Sequence, residues 1–522
     1  MFPDLRHTLC IVLTCPLLAG LSLWRETPKP IEDEWDREVL EIALQQIEAR
    51  AAAEDWMGAL VEATSGIDSL PPSSLRLALT EHLVQFLYCL SPAYLSGDEI
   101  QELPERWQEW VRLFSENELD RDVLTAWLER TPDHPAANWS RALLNSGALG
   151  DADEPPPKIF AVALPLGGKF SAVAESVLSA LLSQFYAEPD TQQLRLHILD
   201  TDEMDVREIL ERTRSLGAEV LIGPLLRARA RTLVQLYGRG KYPFKLLLLN
   251  RPDRRISLPQ RAYAYAPSAA REGEQISAHL RHLGVRHPLV LLGRQGWARA
   301  QLSVLRDEWG DALRVSPALE NNAALTRQVA EALGTRESQQ RHRSVQSLLG
   351  GRLEFEPRRR QDVDVVVLLL SSDIGRRIVP TLAYNFAADL PVLAASAVLR
   401  HSDQEREGDL YGIRTLALPI AVEGIAAANP DWSDAPIDFD DQGWGFTALG
   451  IDAWRLARGL HPGRVLRGAS GLLRIAADGR VRGHNVWVRY YAGRLSLDHP
   501  IWHYPILKGA RPENGAHRTT AP

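Results

Sequence analysis

From Ile159 onward, short apolar runs alternate with segments whose apolar residues recur every three or four positions, and few folds satisfy both patterns at once. Ile159 to Leu166, Leu194 to Leu199, Glu219 to Ile222 and Lys245 to Leu249 read as strands. Between them, Val173, Val177, Leu178, Leu181, Leu182 and Phe185 fall on one side of a helix, and Val206 to Leu216 and Arg229 to Tyr237 read as two more. Strands that are apolar on both faces need helices on both faces, which predicts a doubly wound parallel sheet. A second series follows: helix 271–283, strand 289–292, a helix with Leu302, Leu305 and Trp309, a short strand near 313–315, strand 363–370, helix 374–386 and strand 392–395. Two series predict two lobes. Near the end, Leu472 to Ala476 and Val481 to Tyr491 flank Ala477-Asp478-Gly479 and predict a hairpin with one face packed on the body.

Residues 32–150 show no strand alternation, only apolar stripes at helical spacing punctuated by proline. Trp35, Val39, Ile42, Ala43 and Ile47 share one face, and Trp56, Leu60, Ala63 and Ile67 another that stops at Pro71-Pro72. Ser73 and Ser74 suit the N-cap of a third helix carrying Leu77, Leu79, Leu83, Phe86 and Leu87, with Pro92 ending it. Trp107, Trp110, Val111 and Phe114 mark a fourth helix; Val123, Leu124, Trp127 and Leu128 mark a fifth. Short helices joined by tight turns bury their faces only by stacking, which suggests a tetratricopeptide-like solenoid with its tryptophans in the core. The acidic, proline-rich stretch 151–157 separates this region from the lobes.

At 522 residues the chain needs two or three domains. The apolar stretch Leu9 to Trp24 has 16 residues, with Arg6 before it and Pro16 inside it; that is short for a membrane span and reads as a secretory signal over 1–24. The other reading of that stretch is an uncleaved signal anchor. Cys15 stands late in it, where a bacterial lipoprotein carries its lipidated cysteine, although Thr14 replaces the usual small residue before it. Residues 25–31 would then be a tether. The other cysteines are Cys10 and Cys89, so a mature body has neither a disulfide framework nor a cysteine zinc site.

A net charge of −8 does not suit a nucleic-acid binder. Neither H-E-x-x-H, G-x-S-x-G nor a Walker loop occurs, and His279, His282 and His287 have no partners at metal-ligand spacing. Glu105 and Glu109 sit at helical spacing and read as a solvated face. The turn Gly167-Gly168-Lys169-Phe170-Ser171 links the first strand to its helix. Its amides are placed for an anion or carboxylate, making Gly167, Gly168 and Ser171 candidates for a cleft between the lobes. Asp200 ends the next strand as a ribose-binding acid does, but G-x-G-x-x-G is missing, and Ser171 is expected to act as a helix cap.

The stretch 350–364 places three adjacent arginines, Arg358, Arg359 and Arg360, and then Asp362 and Asp364 at the entry to the strongest strand; its composition suits a polar loop. It resembles the central signature of the penicillin-binding-protein activator family (LpoA, also called LppC), outer-membrane lipoproteins of Gram-negative bacteria. Ile222-Gly223-Pro224-Leu225-Leu226, Asp389-Leu390-Pro391-Val392, Ala448-Leu449-Gly450-Ile451-Asp452-Ala453 and Pro132-Asp133-His134-Pro135-Ala136-Ala137 agree with it in kind and order.

The resemblance implies a tetratricopeptide-like domain over 32–150 and a bilobed domain over 158–510 resembling type I periplasmic binding proteins; residues 511–522 read as a disordered tail. It also implies a lipid anchor at Cys15 and a reach from the outer membrane through the peptidoglycan. There the family docks on a bifunctional class A penicillin-binding protein and stimulates its transpeptidase, with no catalysis, cofactor or metal of its own. Two rival readings remain from the residues. One is a solute-binding protein that closes on an amino-acid-like molecule, with Gly167 to Ser171 in its cleft. The other is a peptidoglycan hydrolase, which would release muropeptides unaided.

Overall fold

The computed structural model describes residues 55–499 apart from short internal stretches, the longest being 400–409 and 423–442, together with a few residues between 42 and 53. The face read from Trp35 to Ala43 lies mostly outside the described residues; Ile47 is buried, whereas Ile42 is exposed.

Helices α1 (Trp56–Ser69) and α2 (Ser74–Leu87) begin as capping chemistry dictates. The Asp55 carboxylate accepts from the Gly58 amide at 2.9 Å, and the Ser73 hydroxyl accepts from the Arg76 amide at 3.2 Å. Pro92 does not end α2. It starts the short helix α3 (Pro92–Ser96), where a missing N–H costs nothing, and α2 has stopped at Leu87.

Helices α4 (Glu105–Arg112), α5 (Arg121–Arg130) and α6 (Ala137–Asn145) follow. Periodicity missed α6 because Pro132 and Pro135 mask its start. Val123 is exposed rather than part of the buried α5 face. Trp107, Trp110, Trp127 and Trp139 are fully or almost fully buried, and edge contacts such as Trp107–Trp110, with centroids 5.4 Å apart, hold them together. Three of these indoles donate to side chains: Trp107 to Asp68, Trp110 to Ser140 and Trp139 to Glu81.

The first lobe is built on five parallel strands, β1 (Ile159–Leu164), β2 (Arg195–Asp200), β3 (Val220–Ile222), β4 (Lys245–Leu248) and β5 (Ala262–Ala264), in the order β2-β1-β3-β4-β5. Between them run α7 (Ser171–Ala187), α8 (Val206–Ser215) and α9 (Arg227–Arg239). Strand β5 is too short to register as a pattern. The second lobe contains α10 (Ala269–His282), β6 (Pro288–Leu292), α11 (Gly296–Trp309), β7 (Arg314–Val315), α12 (Leu325–Leu333), α13 (Thr335–Leu349), β8 (Val365–Leu369), α14 (Ser372–Tyr384), β9 (Val392–Ala394) and β10 (Arg414–Ala417). The arginine- and glutamine-rich region before β8 is therefore largely helical. Polar side chains hid α13, which buries little beyond Thr335 and Ser338.

Helix α15 (Gly443–Ala457) returns to the first lobe, followed by the small antiparallel sheet β11 (Val465–Gly468), β12 (Gly471–Ile475) and β13 (Val481–Arg482). Strands β14 (Val486–Tyr491) and β15 (Arg494–His499) then join the second lobe's seven-stranded sheet, where β14 runs antiparallel to β10. The Asp478-Gly479 turn forms as read, with Gly479 at a φ of 76°. The long second arm of that hairpin does not exist. Gly483-His484-Asn485 breaks it, and its two halves belong to different sheets. Both faces of β14 are buried, Val486 and Val488 on one side and Trp487 on the other.

Helix α15 lies across α7 at Gly450, where an added Cβ would stand 2.3 Å from the Val177 carbonyl oxygen and 2.8 Å from the Ala180 Cβ. Overpacking of this kind costs about 1–3 kcal/mol. Gly450→Val is expected to lower unfolding free energy by at least that much in urea titrations; unchanged stability would mean the helices can separate freely.

Candidate functional site

The chain passes between lobes three times among the described residues: after β5, after β10 and after β13. All three passages converge on the β11–β12 turn, Gly468-Ala469-Ser470-Gly471. In the first, the Tyr265 hydroxyl lies 2.6 Å from both the Ser470 hydroxyl and the Asp452 carboxylate. In the second, the Ile420 amide donates to the Ala469 carbonyl at 3.2 Å. In the third, the His484 carbonyl lies so close to Gly471 that an added Cβ would stand 1.8 Å from its oxygen; Gly471 has a φ of 120°, so only glycine fits. The Gln275 side-chain amide clamps the same passage, donating to the Asn485 carbonyl at 3.0 Å and accepting its N–H at 3.2 Å.

Asp452, fully buried on α15, organises the turn. It accepts from the Ala469 amide at 2.6 Å, the Ser470 amide at 3.0 Å and the Ser470 hydroxyl at 2.5 Å, besides Tyr265. Burial raises its carboxyl above the usual range against the pull of these donors, and burial together with the carboxylate pushes the Tyr265 phenol well above its own.

Arg467, 1% exposed, stands one residue before the turn and reaches into the helical domain. Its guanidinium donates to the Leu87 carbonyl at 2.8 Å and the Tyr88 carbonyl at 3.0 Å, satisfying the C-terminal end of α2. Arg464 does the same for α15, donating to the carbonyls of Leu456 and Gly459.

The residues singled out from sequence take other places. Gly168 has a φ of 66°, and two amides at the entry to the turn already meet carboxylates: Leu166 donates to Asp200 at 3.1 Å and Gly167 to Asp202 at 3.2 Å. Ser171 is not a cap in the expected sense. Its hydroxyl donates backward to the Gly168 carbonyl at 3.0 Å, leaving α7 with no side-chain cap.

Arg359 grips Asp389 through two nitrogens, at 3.3 and 2.5 Å, joining two of the sequence motifs. Arg360 holds Asp362 at 2.7 Å through each of two nitrogens. Both aspartates are held below the usual carboxylate range by these guanidiniums. Asp364 accepts the Arg286 and His287 amides at 2.7 and 2.9 Å, and the Arg358 amide donates to Ser338. Cys15 lies outside the described residues. Among those described, no group of three or more His, Cys, Asp or Glu side chains is placed to hold a metal ion, and no helix is long and apolar enough to cross a membrane.

His134 is enclosed by Trp107, Trp110 and Trp127 at centroid distances of 4.7, 6.4 and 5.0 Å. Its Nδ1 accepts the Ala136 amide at 3.1 Å, so the ring proton sits on Nε2 and donates to the Arg106 carbonyl at 3.1 Å. Arg467 stands in none of the stretches singled out from sequence, and Asp452 stands only inside a family motif, not among the candidate site residues. An aspartate inside an apolar helical face, and an arginine inside Val465-Leu466-Arg467-Gly468, were the available signals.

The class of protein is thus a helical domain seated on two α/β lobes, with many of its charged motif residues bonded within the chain. The family model described as "LppC putative lipoprotein" matches residues 111–493, and the chain belongs to that family. It is 26% identical over 355 residues to the penicillin-binding protein activator LpoA of Vibrio cholerae serotype O1, a match covering 67% of this chain and 58% of that protein. The chain therefore spans little more than half the length of that relative. The LpoA of Photobacterium profundum is 23% identical over 424 residues, covering 77% of this chain and 67% of that one. Crystal structures of LpoA from Haemophilus influenzae share the fold. One superposes with a TM-score of 0.55 at 16% identity over 89% of this chain and 82% of that one, and full-length LpoA in another form gives 0.51.

Burial lowers His134 to about 4. The unfolded chain, with histidine near its ordinary 6.5, binds the proton more readily, so this residue contributes stability above pH 6.5 that is lost as the pH falls towards 4. The gap in urea stability between the native protein and His134→Gln should shrink by about 2–3 kcal/mol from about pH 7 to about pH 4.5. A gap independent of pH would show that the ring carries its charge inside the cage.

Proposed function

We propose that this protein is a non-enzymatic regulator of peptidoglycan synthesis, which docks on a bifunctional class A penicillin-binding protein and stimulates its transpeptidase activity. The observation that carries this reading is the family match across 111–493, with relatives named as penicillin-binding protein activators. The pairing of Arg359 with Asp389 and of Arg360 with Asp362, the bonds of Asp364 to the Arg286 and His287 amides, and the burial of Asp452 support it, because these groups are bonded within the chain and serve a frame that presents surfaces.

In the fuller form of the proposal, 32–150 is a tetratricopeptide-like domain and 158–510 a periplasmic-binding-protein-like pair of lobes. Residues 1–24 carry the signal, cut before Cys15 in the lipoprotein form so that Cys15 is lipidated and anchors the chain at the outer membrane, with 25–31 as tether and peptidoglycan lying between anchor and synthase. Activation is a population shift: docking favours the active synthase only by as much as it binds that state more tightly.

A chain lacking residues 1–30 is expected to retain a purified class A penicillin-binding protein in a pull-down and to raise the crosslinked fraction of its product. Failure on both counts, with the protein folded, ends this reading. Mass spectrometry of the membrane-extracted chain is expected to find an N-terminal Cys15 carrying acyl groups; an unmodified N-terminus downstream of Trp24 would remove the anchor.

A further inference from the structure

The helical domain and the passages between the lobes meet at one place. Arg467 bonds the end of α2 and immediately precedes the turn on which all three passages converge. One continuous apolar cluster includes Leu87 and Tyr88 of the helical domain. It also takes in Ala448 and Ile451 of α15, Ala417 and Ile420 of the second passage, and Val486 and Val488 beyond the third. Residues from the helical domain and from both lobes thus share a single core. In a two-lobed protein that opens and closes, these passages are the hinge, and a hinge must change backbone angles and slide side chains.

We infer that the helical domain is a clamp on the interlobe hinge, so that the angle between the lobes and the seating of the helical domain form one mechanical coordinate. The lobes cannot rotate about the passages without moving the Gly468–Gly471 turn. That turn cannot move without disturbing a buried guanidinium bonded to the end of α2. An empty helix end and an unbonded buried cation both oppose the motion. A partner that grips the helical domain therefore stiffens or resets the lobes, and one that grips the lobes reorients the helical domain. The inference is independent of the proposed synthase partner, and its test uses none.

The experiment is double electron–electron resonance on the full chain. Spin labels replace exposed Glu175 on α7 and exposed Arg299 on α11, with Cys10, Cys15 and Cys89 changed to serine. The same distances are measured in Arg467→Met, and amide exchange is followed at Ile420 and Asn485, whose N–H groups bond Ala469 and Gln275. The clamp predicts a narrow interlobe distance distribution in the native protein that broadens or shifts in the variant. It also predicts exchange at the two passage amides accelerated by about tenfold or more, the effect of losing one charge-assisted hydrogen bond. An unchanged distribution and unchanged passage amides, with faster exchange confined to α1 and α2, would overturn it. If Arg467→Met does not fold, Arg467→Lys, which retains the charge but loses the fork, is read by the same two criteria.

Discussion

Everything from the first helix pair to the final strands depends on carrying two charged side chains, Arg467 and Asp452, out of water at one tight turn. Taking either ion into the interior costs several kcal/mol, and good hydrogen-bond geometry is the only local compensation. The structure supplies it. Asp452 receives four donors, and Arg467 meets carbonyls that a helix end leaves unsatisfied. Each charge-assisted bond contributes about 1.5–3 kcal/mol, and the partial negative charge of the helix terminus adds to it. Neither residue has an apolar substitute that would preserve the arrangement, because the amides of Ala469 and Ser470 and the carbonyls of Leu87 and Tyr88 would then be buried without partners.

The glycines at this turn follow from the same constraint. A Cβ on Gly468 would stand 2.8 Å from Asp452 Oδ1, and one on Gly471 would displace the passage at His484. Strand β14 is consequently torn away from β13 and delivered to the other sheet. Arg464, just before β11, reaches the end of α15, so β11 and the residue that enters it serve two helix termini in two different parts of the molecule.

Much of this frame was legible in the sequence, and what was not has physical reasons. Strands β1, β4, β6 and β8 announce themselves because both their faces are buried. Ser73 names its own helix start, and the tryptophans of α4 and α5 name their core. Strand β5 and helix α13 escaped for opposite reasons: β5 is three residues long, and α13 is almost wholly solvated. The false hairpin arm arose because the alternation of Val486 to Tyr491 was carried back through Gly483-His484-Asn485 to Val481, while the crowding of His484 against Gly471, which splits the arm, is tertiary. Asp200 and Asp202 occupying the Gly167 turn could not be read either, since 33 and 35 residues separate Asp200 and Asp202 from that glycine.

The sequence motifs look like binding chemistry, yet the structure spends them on assembly. Two of the three arginines before β8, a stretch whose composition suits a polar loop, are paired within the chain, Arg359 with Asp389 and Arg360 with Asp362, while Asp364 pins the amides that enter β6. These contacts hold β8 against its neighbours and fix the return from α13. His134 likewise looks titratable but is locked neutral among indoles. Charged motifs paired within the chain hold a shape more than they offer free charge, and under the proposed function that shape is what would meet a partner. A held shape has the thermodynamic advantage that little ordering cost opposes docking, so more of the contact energy is available to distinguish one state of the partner from another.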